Sequence, residues 1–234
     1  MEPKYKRILL KISGESLAGD KRHGFSSSAL AATAKQIATL NKAGVEIGVV
    51  VGGGNFWRGR EGDEMDRTSA DYMGMLATVI NALALSDALD RQGVDNRVMT
   101  ALAIDKIGEP YNVKTAKRYL SEGKVVVFGG GTGSPFFTTD TGASLKACEI
   151  QAEVLLLAKN IDGIYDSDPK TNPNAKKFDT LTYDEYVEKG LRALDTSAVV
   201  MCKENGLKIH AFGNLDENSI VNAVFAESDG TVVY

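Results

Sequence analysis

Three short runs in this sequence combine residue types suited to holding phosphate. Lys11-Ile12-Ser13-Gly14-Glu15, Gly52-Gly53-Gly54-Asn55 and Gly129-Gly130-Gly131-Thr132-Gly133 each follow an apolar stretch of strand character. Consecutive glycines after a buried strand have two readings. Either they make a tight turn that needs positive φ, or they leave backbone N–H groups open to phosphate oxygens. One glycine run alone favours the turn. Two runs, each leading toward a helix, favour a pair of anion cradles, and two cradles point to a phosphorylated donor and a phosphorylated acceptor. Cations must accompany them, because phosphoryl transfer is catalysed mainly by positioning and charge stabilisation. Lys11 and Arg58 are the candidates, and the planar fork of Arg58 suits a phosphate bidentately. Read singly, each is also an ordinary solvated cation. Among the acids, Asp71, Asp140, Asp162, Asp168 and Asp195, we single out Asp140 and Asp195, although both also suit a helix N-cap.

No GxxxxGK[ST] pattern occurs, which disfavours a Walker-type nucleotide site. Neither glycine run has the spacing of a dinucleotide fingerprint followed by a ribose-binding acid. Cys148 and Cys202 stand alone in apolar helical contexts, and His23 and His210 lie far from each other and from both. Buried structural thiols fit a reducing cytoplasm, and a protein zinc site is not expected. Net charge is −4 with interspersed signs, which argues against nucleic acid as the main partner. The apolar run Ile8 to Ile12 is too short for a signal peptide, and no stretch reads as long enough to span a bilayer. A cytoplasmic protein is the expectation.

These residues must be positioned by an alternation of strands and helices, the signature of a parallel α/β sheet. Strands are predicted at Arg7 to Ile12, Val45 to Val51, Asn96 to Ala101, Lys124 to Phe128, Val154 to Leu157, Lys208 to Phe212 and Thr231 to Val233. Ser26 to Ser28 offers an N-cap to a helix whose face carries Leu30, Ala34, Ile37 and Leu40, and Gly44 closes it. A second long helix runs from near Ser69 to Arg91, with Met73, Leu76, Ile80 and Leu83 as its apolar stripe. Further helices are predicted at Val113 to Leu120, Thr141 to Ala152, Thr182 to Lys189, Asp195 to Asn205 and Ser219 to Ala226. Asp168 to Thr180 reads as a loop. With no repeat or linker in 234 residues, a single domain spanning 1–234 is expected.

Lys11 to Glu15, the glycine triplet with Asn55 and Arg58, and Asn160-Ile161-Asp162-Gly163-Ile164-Tyr165 with Asp168-Pro169 resemble the amino acid kinase superfamily. Its members phosphorylate carboxylates, carbamate or phosphates on a three-layer α/β/α sandwich. Thr132-Gly133-Ser134-Pro135-Phe136-Phe137-Thr138-Thr139-Asp140 and Asp71 to Thr78 narrow the resemblance to the bacterial UMP kinases, over essentially the whole chain. Carried over by position, it implies that Lys11, Ile12, Ser13 and Gly14 contact ATP, with Lys11 on the transferred phosphoryl group. Gly53 and Asp71 would hold UMP, Asp71 on the ribose, and Gly54 and Arg58 would lie among the phosphates. Thr132, Gly133, Ser134, Pro135, Phe136, Phe137, Thr138 and Thr139 would form the UMP pocket. Lys159, Tyr165 and Asp168 would line the ATP side, and Asp140 and Asp195 would organise the reacting groups and the lysines. Mg²⁺ would arrive with ATP, held mostly by phosphate and water.

The sequence departs from the family pattern at Ser134, where asparagine is usual, and at Lys159-Asn160, where many members have threonine-lysine. Gly19, Asp20, Lys21, Arg22, His23 and Gly24 align with the segment linked to activation by GTP. The resemblance also implies inhibition by UTP and a homohexamer, with no membrane partner. Two rivals remain: another small-acceptor kinase of the superfamily, and a nucleotide-sensing homologue without catalysis.

Overall fold

A computed structural model describes residues 2–21, 23–57, 65–214, 216–225 and 230–234. In chain order the elements are β1 (Arg7–Ile12), α1 (Gly14–Ala18), α2 (Ser27–Lys42), β2 (Glu46–Val51), α3 (Arg67–Arg91), β3 (Asn96–Thr100) and β4 (Glu109–Pro110). Next come α4 (Val113–Ser121), β5 (Val125–Gly129), α5 (Thr139–Ile150), β6 (Val154–Lys159), β7 (Ile164–Tyr165), β8 (Lys177–Phe178) and β9 (Thr180–Leu181). The chain ends with α6 (Tyr183–Glu188), α7 (Thr196–Glu204), β10 (Lys208–Gly213), α8 (Ser219–Phe225) and β11 (Gly230–Val233).

Nine strands form one sheet in the order β4-β3-β5-β2-β1-β6-β10-β11-β9. Every pairing is parallel except β10 with β11. The central strands are apolar on both faces, as parallel strands covered by helices must be. Side chains alternate between two cores. Ile8, Leu10 and Ile12 of β1 pack with α2, α3 and α8, whereas Leu9 packs with α4, α5, α6 and α7. The result is a three-layer α/β/α sandwich. Lys11 shares the parity of Leu9 and therefore points to the α5 side.

Local chemistry explains most boundaries. Ser26 caps α2 by accepting from Ala29 N, and Gly44 reverses the chain at φ +84°. Cys202 is buried, but Cys148 is only partly so. The stretch expected as loop from Asp168 contains β8, paired antiparallel with β7, and it leads directly into β9. Such two-residue strands exist through their partners and carry no periodicity of their own.

The inward face of α3 is reversed from expectation. Met73, Leu76, Ile80 and Leu83 are exposed, and the helix buries Ala70, Met75, Ala77, Thr78, Asn81, Ala82, Leu85 and Leu89. Small residues let its backbone approach the glycine turns: a Cβ on Gly53 would lie 2.9 Å from the Ala77 Cβ. Contrary to the sequence reading, α3 is by length and composition apolar enough to cross a bilayer. It serves instead as a layer of the sandwich, with half of its most apolar window buried.

Candidate functional site

Strands β5, β2, β1 and β6 are consecutive neighbours, so the three sequence runs come together at one edge of the sheet. At the first, a Cβ on Gly14 would lie 2.4 Å from Asn55 Oδ1 and 2.6 Å from Gly52 O. Only glycine permits that approach between the first and second turns. The third run is a tight turn, with Gly130, Gly131 and Gly133 at φ of +85°, +58° and +82°. None of the glycines of the second run has positive φ. Gly53, with Ala77 Cβ and Gly74 O at 2.9 Å from an added Cβ, and Gly52, with Gly14 N at 3.3 Å, are held by proximity, whereas a Cβ on Gly54 would meet only ordinary contact at 3.5 Å. The N–H groups of Gly53, Gly54, Gly131 and Thr132 form no hydrogen bond among the described residues, and all four residues border one cavity of about 200 Å³. The two expected cradles are thus two walls of a shared one, because β2 and β5 are sheet neighbours.

Asp71, Phe137, Thr138 and Thr139 complete that cavity, with Met75 and Thr78 of the Asp71 to Thr78 stretch and Trp57, which sequence reading did not single out. Gly133, Ser134, Pro135 and Phe136 do not line it. Phe136 stands outside, 66% exposed, in a left-handed backbone conformation at φ 71°. Its N–H donates to Asp71 Oδ2 at 2.7 Å, and Arg67 Nε donates to the same oxygen at 2.9 Å. The Arg67 guanidinium lies over the Phe136 ring at 5.5 Å, a favourable cation–π placement.

A second cavity, of about 750 Å³, is bordered by Lys11, Ser13, Lys159, Asn160, Tyr165 and Asp168, with Lys189 and Arg192 adding positive charge. Ser13 also caps α1 by accepting from Ser16 N at 3.2 Å. Ile12 contributes backbone only, since its side chain is core and its carbonyl accepts from Gly52 N at 2.9 Å. Tyr165 donates its hydroxyl to Asp162 at 2.6 Å, while Asp168 accepts from Lys170 N.

Between the two cavities stands a compact polar group. Lys11 Nζ lies 2.7 Å from Asp140 Oδ1, both side chains largely buried. The approach is ionic but off-axis, so that buried oxygen has no donor aligned on it. Asp140 is not an N-cap: Thr138 holds that position on α5 and accepts from Asp140 N at 3.1 Å. Asp195 does occupy the N-cap position of α7, yet its side chain makes no capping bond. It accepts instead from the Thr138 hydroxyl, with the Thr141 hydroxyl at 3.5 Å. Lys159 ends β6 on the parity of Lys11 and donates to Ala193 O. Burial pushes the Lys159 ammonium below the usual lysine range; Asp140 and Asp195 oppose this, and Lys11 reinforces it.

Gly19, Lys21 and His23 border a third cavity, of about 660 Å³, together with Gly54 and Trp57. Asp20 does not line it. Gly24 is fastened to Asn55 twice, N–H to carbonyl at 3.0 Å and carbonyl to side-chain amide at 2.8 Å. Arg22 and Arg58 lie outside the described residues. Among those described, no group of three His, Cys, Asp or Glu side chains is placed to hold a metal ion.

The family model of the amino acid kinase family matches residues 6–213. Three solved structures are similar over nearly their whole lengths. The UMP kinase from Bacillus anthracis is 35% identical at a TM-score of 0.94, with 98% of this chain and 96% of that one covered. The UMP kinase from Ureaplasma parvum is 35% identical at 0.90, with 98% and 99% covered. The uridylate kinase from Archaeoglobus fulgidus is 29% identical at 0.75, with 97% and 99% covered.

Proposed function

The chain belongs to the amino acid kinase family, and from that premise we propose that it transfers the γ-phosphoryl group of ATP to UMP, giving UDP and ADP. The similarity to UMP kinases along the full chain supports this acceptor. The observation that carries the mechanism is the Lys11–Asp140 pair with Asp195 and Thr138, set between a large cavity and a small one walled by open N–H groups. ATP occupies the larger cavity along Lys11, Ser13, Tyr165 and Asp168, while Gly14, buried against the second turn, does not border it. UMP occupies the smaller, its phosphate toward Gly53, Gly54, Gly131 and Thr132 and its ribose toward Asp71.

A UMP phosphate oxygen attacks the γ-phosphorus as the bond to the β–γ bridging oxygen breaks. The nucleophile is already an anion, so no strong general base is required. The task is to bring two polyanions together, and cations with oriented N–H groups accomplish it. Lys11 neutralises charge on the transferred group, and Asp140 fixes the ammonium in place. Asp195 holds the Thr138 hydroxyl, and with it the N-terminus of α5. Asp140 Oδ1 is already paired with Lys11, so Mg²⁺ arriving with ATP would be held mostly by phosphate oxygens and water, as this ion prefers. When bound with ATP it would screen charge on the phosphates.

The deciding experiment is an acceptor panel: coupled ATP consumption with UMP, CMP, carbamate and acetylglutamate under identical conditions. Turnover with UMP is expected to exceed the others by orders of magnitude. No turnover with UMP would overturn the reading.

Formation of UDP would assign the reaction to pyrimidine nucleotide synthesis, and soluble nucleotide substrates fit a cytoplasmic protein. The homohexamer implied by resemblance is supported by the apolar strip of Tyr72, Met73, Leu76, Ile80 and Leu83 along the outside of α3, since monomers rarely expose such a contiguous face. Activation by GTP is supported by the double fastening of Gly24 to Asn55, which joins the 19–24 segment to the second turn. Inhibition by UTP would act at the acceptor cavity.

A further inference from the structure

We propose that Thr78 and Asn81 of α3 are positioning residues that fix the separation of the two glycine turns, and with it the alignment of donor and acceptor. This rests on the reading of the small cavity as the acceptor site. Both side chains are polar and buried, Thr78 at 3% exposure and Asn81 at 0%. A buried polar group is tolerated when its hydrogen bonds are made, and here they are made to the turns. The Thr78 hydroxyl donates to Met75 O at 2.7 Å and accepts from Gly130 N at 2.8 Å. Asn81 Nδ2 donates to Gly52 O at 2.6 Å and to Asn55 Oδ1 at 2.7 Å, and Asn81 Oδ1 accepts from Asn55 Nδ2 at 3.0 Å.

Thr78 and Asn81 stand three residues apart on one face of the helix, about 4.5 Å along its axis. A single rigid rod is thereby bonded to the third glycine turn at one point and to the second at the next. Glycine turns have no side chains with which to fix themselves, so the helix supplies the constraint. Asp71, a further seven residues back on the same face, adds a third tie through Phe136 N. Small displacements of reacting groups cost rate steeply, about a hundredfold for ~1 Å.

The test compares Thr78→Val, which keeps the shape and removes the hydroxyl, with Thr78→Ser, which restores it. Thr78→Val is expected to raise KM for UMP about tenfold while KM for ATP stays within about twofold. Amide exchange at Gly130 should accelerate, and Thr78→Ser should recover both readouts. Asn81→Ala should lower kcat about tenfold or more and speed exchange at Gly24, whose N–H donates to Asn55 O. If that variant does not fold, Asn55→Ala releases the two Asn81–Asn55 bonds from the loop side and leaves Asn81–Gly52 in place, so a smaller loss of kcat is expected. Unchanged Gly130 exchange in Thr78→Val, UMP kinetics equal to the parent, or Thr78→Ser impaired as much as Thr78→Val would each overturn the proposal. Turnover of UMP by the parent tests the acceptor reading separately, and the exchange measurement holds whichever acceptor is used.

Discussion

At the scale of single residues, Lys11 and Asp140 form a largely buried charge pair at 2.7 Å, with Lys11 bordering the larger cavity. A buried ion pair contributes little to stability once desolvation is counted, so its retention at this place fits catalysis. Lys11→Ala is expected to lower kcat by about three orders of magnitude while calorimetric UMP binding stays largely intact. Parent-like turnover in that variant would remove Lys11 from the mechanism. Lys11, Asp140 and Asp195 were legible in the sequence because strand-end and helix-start positions are where ligands meet an open parallel sheet. The meaning of the two aspartates was not legible. Both fitted caps by sequence, and only the geometry shows that Thr138 does the capping on α5 and that the Asp195 carboxylate turns away from α7. Thr78 ended the Asp71 to Thr78 stretch that carried the resemblance but had no role assigned, and Asn81 went unseen: a polar residue in an apolar helix announces no partner when its bonds go to Gly52 O and the Asn55 side chain, far away in the sequence.

At the scale of elements, the contact between the turns after β1 and β2 is the tightest constraint. Gly14→Ala would drive a Cβ into Asn55 Oδ1 and the Gly52 carbonyl, and the latter cannot move without its strand. A loss of about 2 kcal/mol or more is expected, read as a lower urea midpoint with an unchanged m-value, together with weakened turnover. Most strands and helices were legible to within two or three residues, since caps and closing glycines act locally. α3 was legible as a helix but not in its orientation. Nearly uniform apolar character offers two stripes of equal spacing, and the choice fell to packing: the small residues were needed against the glycine turns. The β7–β8 hairpin was illegible because two-residue strands are defined by pairing alone.

At the scale of the whole molecule, the antiparallel β10–β11 pair buries His210, whose pKa is pushed down to about 4 from 6.5, chiefly by burial and secondarily by the charge of Lys4. The unfolded chain therefore binds the extra proton first as pH falls. This contribution is fully present above pH 6.5 and is lost progressively toward pH 4, by about 3 kcal/mol in all. Urea midpoints measured from pH 7 to 4 should fall more steeply in the parent than in His210→Gln; parallel curves would count against the burial account. The three-layer class was legible from the alternation of patterns, whereas the strand order, with β1 between β2 and β6, depends on pairings the sequence does not announce. That order also decides where the sheet ends. Its rims are β4 and β9, two residues each, and β4 contains Pro110, which has no N–H to offer. Bare backbone along either rim is thus only about 7 Å long, too little to template strand addition by a neighbouring chain. Any contact between copies would therefore have to use helix faces such as the exposed apolar outside of α3. If the proposed homohexamer uses that face, a single charge there, as in Leu76→Glu, is expected to lower the sedimentation coefficient toward that of the monomer.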